Sequence, residues 1–410
     1  MSKNIKKVSE NKYVEYNHLD KIGETSIYYG FTPHQSPEIK KADLDLAKSL
    51  LDGDSIDGDE EALLKLPLHV EEKIALLRMF HEENMHTLPQ PVMLYFKEPF
   101  KGSIKKGATA FNRYCDLEII GVSKSIAEAI LIQTARAILK QEGYKNICVE
   151  INSIGDKDSL HRFNKELTNY YRKHVNNMHT ECRQLLKKDP FDLLSCQNEK
   201  CKKINSEAPK SMDFLSESSR THFQEVLEYL EALKIPYKIN NHLIGNRKYC
   251  TETIFTIINM DHDKKDKPSR ILATGVRYDG LTKKIGFKKE LQGVGISVLI
   301  KGNDPALRKE IKKFKKPVAS FVQLGFESKL LSLSIIESLR EVKISLCLSL
   351  TRDRLGAQVT VVQKNYIPYS IIMGKKEAVE QTAIVRNTDT HSQEVVPLAE
   401  LQSYIKKLDK

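Results

Sequence analysis

The sequence lacks any uninterrupted apolar run of about 18 residues, the length that a transmembrane helix requires. Residues 1–7 are basic, but the apolar core of a signal peptide does not follow them. Internal repeats and low-complexity segments are absent as well. These absences lead us to expect a cytoplasmic protein without a membrane partner.

Disulfide bonds are not expected, because the seven cysteines are an odd number and are widely scattered. One group of side chains has the composition of a metal site: Cys182, Cys196 and Cys201, preceded by His179. Two, thirteen and four residues separate these four positions, whereas regular zinc sites contain Cys-x2-Cys pairs. The pattern fits either a metal site or buried thiols in a helical insert, so the sequence assigns no metal here.

The composition is that of a globular protein, since 40% of the 410 residues are apolar and 29% are charged. This length allows two or three domains with an ample buried core. Lys and Arg outnumber Asp and Glu by 65 to 54, which gives a formal net charge of +11. Such an excess suits a polyanionic partner, although it also occurs in proteins whose lysines are merely solvated.

A polar triplet, Arg277-Tyr278-Asp279, stands between Gly275 and Gly280. Glycine permits close backbone approach, and the guanidinium, phenol and carboxylate groups offer donors and acceptors to a small polar ligand. We interpret the triplet as a turn that places three polar side chains beside a sheet. The alternative is a β-turn with a solvated Asp-Gly pair.

This segment resembles the second signature of histidyl-tRNA synthetases, Gly-Gly-Arg-Tyr-Asp-Gly-Leu, with Val276 in place of the second glycine. The resemblance extends over nearly the whole chain and keeps the order of the family's motifs. It implies a homodimer with an α/β (α+β) fold. The expected parts are a class II synthetase antiparallel sheet with helices at 1–300, a helical insert at about 155–235, a basic linker at 301–317, and a C-terminal α/β anticodon-binding-like domain at 318–410.

The resemblance also implies a histidine pocket made of Glu71, Glu118, Tyr249 and Tyr278. In the family, the glutamate at the position of Glu71 receives the amino group of histidine, and the glutamate at the position of Glu118 meets its imidazole. Lys73 stands where the family has a threonine that also receives the amino group. A glutamate on a helix face is more often solvated, so the role of Glu71 depends on the resemblance alone.

The arginines that handle phosphate in the family are replaced in this sequence. The second motif holds the α-phosphate with an arginine fork, and here Lys101 is the nearest cation. The leading arginine of the first histidine signature aligns with Gly245, and Arg247 lies two residues along, about 6–7 Å away on a strand. Residues 291–306, the place of the glycine-rich third motif, contain no arginine. Losing one such donor typically costs about 2.7–4 kcal/mol of transition-state stabilisation.

The pattern favours a histidyl-tRNA synthetase-like protein that binds tRNA and histidine but lacks the arginines needed for ATP-dependent charging of tRNA. The alternative is an active histidine–tRNA ligase that uses ATP and Mg²⁺, with Lys101 and Arg247 as substitute cations. A regulatory subunit of histidine biosynthesis is less favoured, because the synthetase paralogue with that role lacks the anticodon-binding domain. The predicted tRNA contacts are Lys312, Lys313, Lys315 and Lys316.

Overall fold

The computed structural model describes residues 13–51, 69–98, 100, 112–194, 196, 198–261, 271–288, 290–301, 309–349 and 353–409. The chain divides into two compact units. The larger unit runs from His34 to Lys301, and the smaller unit joins the chain before His34 to the chain after Lys301. No helix in the described ranges combines the length and the hydropathy needed to cross a membrane.

The described strands, in chain order, are β1 (Tyr13–Leu19), β2 (Thr32–His34), β3 (Val92–Phe96), β4 (Asn112–Ile120), β5 (Ile147–Gly155), β6 (Tyr237–Ile239), β7 (Thr251–Asn259), β8 (Ile271–Arg277), β9 (Gly293–Lys301), β10 (Ile311–Lys315), β11 (Ala319–Gln323), β12 (Leu346–Leu348), β13 (Tyr369–Met373), β14 (Thr382–Asn387) and β15 (Gln393–Pro397). The described α-helices are α1 (Lys21–Tyr28), α2 (Lys41–Leu51), α3 (Val70–Glu82), α4 (Ile126–Gln141), α5 (Lys157–His174), α6 (Thr180–Lys188), α7 (Glu199–Asn205), α8 (Glu217–Ala232), α9 (Leu281–Lys284), α10 (Phe326–Glu341), α11 (Leu355–Lys364), α12 (Lys375–Glu380) and α13 (Leu398–Leu408).

An eight-stranded sheet carries the larger unit, in the order β2-β3-β4-β9-β8-β7-β5-β6. The central pairs β3–β4, β4–β9, β9–β8, β8–β7 and β7–β5 are antiparallel. At one end of the sheet, β6 pairs in parallel with β5. Helix α4 packs against β9 and is buried along nearly all of its length, which shields the middle of the sheet from water. The antiparallel sheet with covering helices that the sequence predicts is confirmed.

Helix α3 brings charged side chains into the core of the larger unit. Val70, Ile74 and Leu77 follow the spacing of one helix face, and all three are buried. The first two turns of α3 are enclosed on every side, because each residue from Val70 to Leu77 is buried. The charged side chains of Glu71 and Lys73 therefore lie inside the protein, where each needs a polar partner.

Between β5 and β6 the chain leaves the sheet and forms α5 to α8 with short 3-10 turns between them. Asp156 caps α5 by accepting a hydrogen bond from the Ser159 amide at 2.8 Å. Three aromatic rings join the turns to α5: the centroid of Phe163 lies 5.3 Å from that of Phe191 and 5.8 Å from that of Phe214. This helical insert is therefore held by its own apolar contacts.

One sequence-based prediction is wrong in the smaller unit. Residues 301–317 are expected to be a basic linker, but within them β10 forms a strand that pairs antiparallel with β1. Phe314 is buried in a cluster with Leu19 and Tyr28, and its ring centroid lies 5.1 Å from that of Tyr28. The abundance of lysine conceals the single buried aromatic residue that fixes this strand.

The remainder of the smaller unit is a five-stranded sheet in the order β12-β11-β13-β14-β15. β11 pairs in parallel with β12 and β13, as the alternation of strand and helix predicts, while β13, β14 and β15 are antiparallel neighbours. Helices α10 and α11 contact β11, and α13 contacts β14 and β15. The C-terminal α/β domain of the sequence analysis is confirmed.

Candidate functional site

Glu118, on β4, lies at the centre of the predicted pocket with its side chain fully buried. Lys73 of α3 donates from Nζ to Glu118 Oε1 in a close ion pair. The phenol of Tyr278 donates to Glu118 Oε2 at 2.8 Å. Lys73 is also buried, and its Nζ lies 5.5 Å from the centroid of the Tyr278 ring. Both carboxylate oxygens of Glu118 are thus engaged by side chains of the protein itself.

Two glycines of β9 leave the space that this group occupies. Gly295 lies opposite Glu118 in the strand register, and a Cβ on it would come within 2.0 Å of Glu118 Oε2. A Cβ on Gly293 would come within 2.3 Å of the Tyr278 ring. A larger residue at either position would displace the carboxylate or the phenol, because closely packed interiors do not tolerate such overlap. The glycine-rich run of the third motif therefore makes room for the pocket.

Burial and the neighbouring polar groups shift the pKa of Glu118 in opposite directions. Burial raises the pKa of Glu118 above its ordinary value, whereas Lys73 and the Tyr278 hydroxyl lower it by stabilising the carboxylate. Asp116 acts in the same direction as burial. Burial and the neighbouring Glu118 raise the pKa of Tyr278 well above its ordinary value, so its hydroxyl remains a donor. The charged form of Glu118 depends on the Lys73 ammonium.

Glu71 and Tyr249 lie in the same buried part of the larger unit. Glu71 is buried, and its Oε1 lies 3.1 Å from His69 Nδ1. Burial raises the pKa of Tyr249, and Cys250 and Glu71 add to this shift, so the Glu71 carboxylate is within electrostatic range of the phenol. Tyr249 and Tyr278 also share one apolar cluster with residues of α3. The four predicted histidine-binding residues thus lie in one region, together with Lys73.

Arg277 has a different environment from the one that the sequence suggests. Its side chain is fully buried and forms a two-pronged ion pair with Glu128 of α4, with Nε and Nη2 each 2.7 Å from a carboxylate oxygen. Its Nη1 donates to the Val122 carbonyl at 2.8 Å. Burial opposes ionisation of Glu128, but Arg277 and His222 outweigh it and lower the pKa of Glu128 to about 2. Arg277 therefore joins β8 to α4.

The polar triplet consequently separates into three roles, which corrects the expectation of three side chains facing one ligand. Arg277 contacts α4, and Tyr278 contacts Glu118. Asp279 accepts a hydrogen bond from the Gly293 amide at 2.9 Å, and its own amide donates to Thr251 Oγ1 at 3.1 Å. The triplet thus binds neighbouring strands and a helix together around the pocket.

Arg247 and Lys101 are the cations that the sequence suggests for phosphate binding. Arg247 pairs closely with Asp189 of the helical insert, and its guanidinium carbon lies 4.4 Å from the centroid of the Phe191 ring. Lys101 lies outside the described residues. Arg247, two residues past the place of the first signature's arginine, and Arg277 of the second signature are therefore both engaged in ion pairs with carboxylates of the protein. This arrangement does not fit the binding of a nucleotide α-phosphate by either of them.

The cysteine group of the insert is brought together in space. The sulfur atoms of Cys182, Cys196 and Cys201 all lie within 4.8 Å of one another. His179 is half-exposed, and its Nδ1 lies 3.9 Å from a carboxylate oxygen of Glu181. The long interval between the first two cysteines hides their proximity in the sequence, because it spans the end of α6 and a 3-10 turn.

Replacing Lys73 by threonine tests the central ion pair. The variant leaves the buried Glu118 carboxylate without its countercharge, so we expect the free energy of unfolding at pH 8 to fall by about 3–5 kcal/mol. Removing a group that lowers the pKa of Glu118 raises this pKa further, and the folded state then holds a proton that the unfolded state releases. The loss should therefore be smaller at pH 5 and grow as the pH rises. Urea unfolding at several pH values measures both effects.

Lys329→Thr is the matched control, since Lys329 is a similarly buried lysine that pairs with Asp353 in the smaller unit. The Asp353 side chain is 54% exposed and can be hydrated when the lysine is removed. This variant should show a smaller loss with little dependence on pH between 5 and 8. Equal, pH-independent losses in the two variants would contradict a special role for the Lys73–Glu118 pair.

Comparison with known proteins agrees with this architecture. A family model described as an anticodon binding domain matches residues 321–408. The crystal structure of apo S. aureus histidyl-tRNA synthetase superimposes with a TM-score of 0.50 at 21% identity, covering 94% of this chain and 93% of that chain. This similarity shows that the two proteins share a fold.

Relatives named histidine–tRNA ligase match most of the chain. The protein from Bacillus velezensis is 28% identical over 349 residues, which are 83% of this chain and 81% of that protein. The protein from Halothermothrix orenii is 30% identical over 350 residues, which are 84% of this chain and 82% of that protein. With this identity over most of both sequences, the chain belongs to the histidine–tRNA ligase family.

Proposed function

We propose that this protein binds tRNA, holds histidine weakly, and forms an aminoacyl adenylate far more slowly than its relatives. The observation that carries the proposal is the buried ion pair between Lys73 and Glu118. Glu118 stands at the position that the family uses for the imidazole of histidine. In this chain the same carboxylate already has an ammonium and a phenol as partners.

Weak histidine binding follows from the cost of displacing Lys73. An imidazole that donates to Glu118 must share the carboxylate with the ammonium or expel it. Expulsion would leave a buried ammonium without a countercharge, since Lys73 is only 6% exposed. Glu71, Tyr249 and Tyr278 lie in the same buried region of the larger unit. We therefore assign these residues to a histidine site of low affinity.

We expect slow adenylation because Arg247 and Arg277 are paired with carboxylates of the protein. Activation of a carboxylate by ATP concentrates negative charge on the α-phosphate, and preorganised cations lower that barrier. Arg247 and Arg277 are engaged by Asp189 and Glu128. Neither arginine is placed to bind the α-phosphate, so we expect adenylation with ATP and Mg²⁺ to be slow.

An assay of histidine-dependent ATP–pyrophosphate exchange tests the loss of activity. We expect a rate at least about a hundredfold below that of the Bacillus velezensis relative measured in parallel, since the absence of one electrostatic donor alone has an effect of this size. The same assay without histidine gives the background. A rate within about tenfold of the relative would support the second candidate function, an active histidine–tRNA ligase, which the relatives' shared name and the 30% identity favour.

The proposal that tRNA binds rests on the smaller unit. Its residues 321–408 match the anticodon-binding model, and β10 precedes them with four lysines at or beside the strand. These lysines differ in their surroundings. Lys312 and Lys316 are exposed, while Lys313 lies 3.7 Å from Glu15 and Lys315 lies 2.8 Å from a carboxylate oxygen of Asp409. We therefore assign the main phosphate contacts to Lys312 and Lys316.

Replacing Lys312 and Lys316 together by glutamine should weaken tRNA binding. Each lost phosphate contact should flatten the dependence of log K on log salt by about 0.7–0.9. Discrimination among tRNAs should persist, because single-stranded bases are recognised by stacking and by contacts to their edges. Filter-binding titrations at several salt concentrations measure affinity, slope and discrimination.

Lys165→Gln with Lys173→Gln is the control, because it removes two exposed charges from α5 in the larger unit. This double variant should leave the salt dependence unchanged. Equal effects of the two double variants would mean that net charge alone governs binding. A wild-type protein that binds no tRNA at low salt would contradict this part of the proposal, whatever its exchange activity. The homodimer stays a prediction from the family resemblance, and the cytoplasmic location stays a prediction from the composition of the sequence.

A further inference from the structure

Three segments of the helical insert each bring one cysteine to the same point. Cys182 lies on α6, Cys201 lies on α7, and Cys196 lies in the connection between them. The sulfur atoms of Cys182 and Cys196 are 3.5 Å apart, and all three sulfur atoms lie within 4.8 Å of one another. Cys182 and Cys201 are buried, whereas Cys196 is partly exposed. The cluster is therefore enclosed on one side and reachable from solvent on the other.

The size of this triangle matches one tetrahedral metal ion. With zinc–sulfur bonds of about 2.3 Å, two thiolates of a tetrahedral site are about 3.8 Å apart. The separation of 3.5 Å between Cys182 and Cys196, and the limit of 4.8 Å on all three pairs, are close to this value. A disulfide would join two sulfur atoms at about 2.05 Å and leave the third without a function.

The backbone around the cluster is fixed by polar contacts independent of any ion. Asn205, at the end of α7, donates from Nδ2 to the carbonyls of Leu193 and Leu194, at 2.5 Å and 3.3 Å. Its Oδ1 accepts a hydrogen bond from the Tyr171 hydroxyl at 2.8 Å. The Cys196 amide donates to the Leu193 carbonyl at 3.1 Å. The segments that carry Cys196 and Cys201 are thus preorganised, which lowers the entropic cost of binding an ion.

We propose that Cys182, Cys196 and Cys201 bind one Zn²⁺ ion as thiolates, with a water molecule as the fourth ligand. On binding, each thiol gives its proton to the solvent and forms a zinc–sulfur bond, so that three protons are released for each ion. Thiolate sulfur is a preferred ligand of zinc, and the exposed side of Cys196 leaves room for water. The ion would tie α6 to α7 and stabilise the insert, at a site distinct from the pocket around Glu118.

Cobalt titration of the full-length protein tests the proposal. The protein is reduced, stripped of metal with a chelator, and titrated with Co²⁺ alone, which reports thiolate ligands by charge-transfer absorption and tetrahedral geometry by intense visible bands. We expect saturation at one equivalent and loss of the spectrum when Zn²⁺ is added. Cys182→Ser and Cys201→Ser should each weaken Co²⁺ binding at least tenfold. The control Cys347→Ser, in β12 of the smaller unit, should bind Co²⁺ like the wild type.

An alkylation experiment on the wild-type protein keeps the test independent of variants that fail to fold. Zn²⁺ should slow the reaction of iodoacetamide with the three clustered cysteines at least tenfold and leave Cys347 unaffected, as measured by mass spectrometry. Reduced wild-type protein that shows neither a thiolate–cobalt spectrum nor protection by Zn²⁺ would overturn the proposal. Co²⁺ binding that survives unchanged in the Cys182 and Cys201 variants would overturn it as well.

Discussion

The ion pair between the buried ammonium of Lys73 and the carboxylate of Glu118 is the interaction on which the candidate site depends. Glu118 lies in the middle of an antiparallel sheet, where a carboxylate is stable as an ion only with a countercharge. Lys73 supplies this charge from α3, and Tyr278 supplies a hydrogen bond from the end of β8. The same contacts that stabilise the carboxylate also occupy it. In the proposed histidine site, internal stability and ligand binding therefore compete for one side chain.

A second buried ion pair, between Arg277 and Glu128, stabilises the elements around this site. The Arg277 guanidinium matches the two oxygens of Glu128 and ties β8 to the helix that covers β9. Because Tyr278 follows Arg277 directly, this ion pair also helps to position the phenol that contacts Glu118. The signature arginine, tyrosine and aspartate thus serve the architecture of the strands around the pocket.

The fold could be predicted from the sequence because motif order and the periodicity of strands and helices extend over nearly the whole chain. Contacts between distant residues could not. Lys73 and Glu118 are 45 positions apart, and Arg277 and Glu128 are 149 apart, so no local pattern reveals either pair. The sequence does not reveal strand β10, because lysines surround Phe314, the residue of the strand that is buried in the core. It does not reveal the cysteine cluster either, because a helix end and a turn separate its members along the chain.

Histidine binding, measured by titration calorimetry in the wild type and in Lys73→Thr, tests most directly whether Lys73 occupies the pocket. We expect a dissociation constant in the millimolar range or weaker for the wild type. We expect at least tenfold tighter binding when threonine frees Glu118, a gain of about 1.4 kcal/mol. Equal affinities in the two proteins, with the variant folded, would contradict the proposed role of Lys73. Micromolar binding by the wild type would contradict it as well.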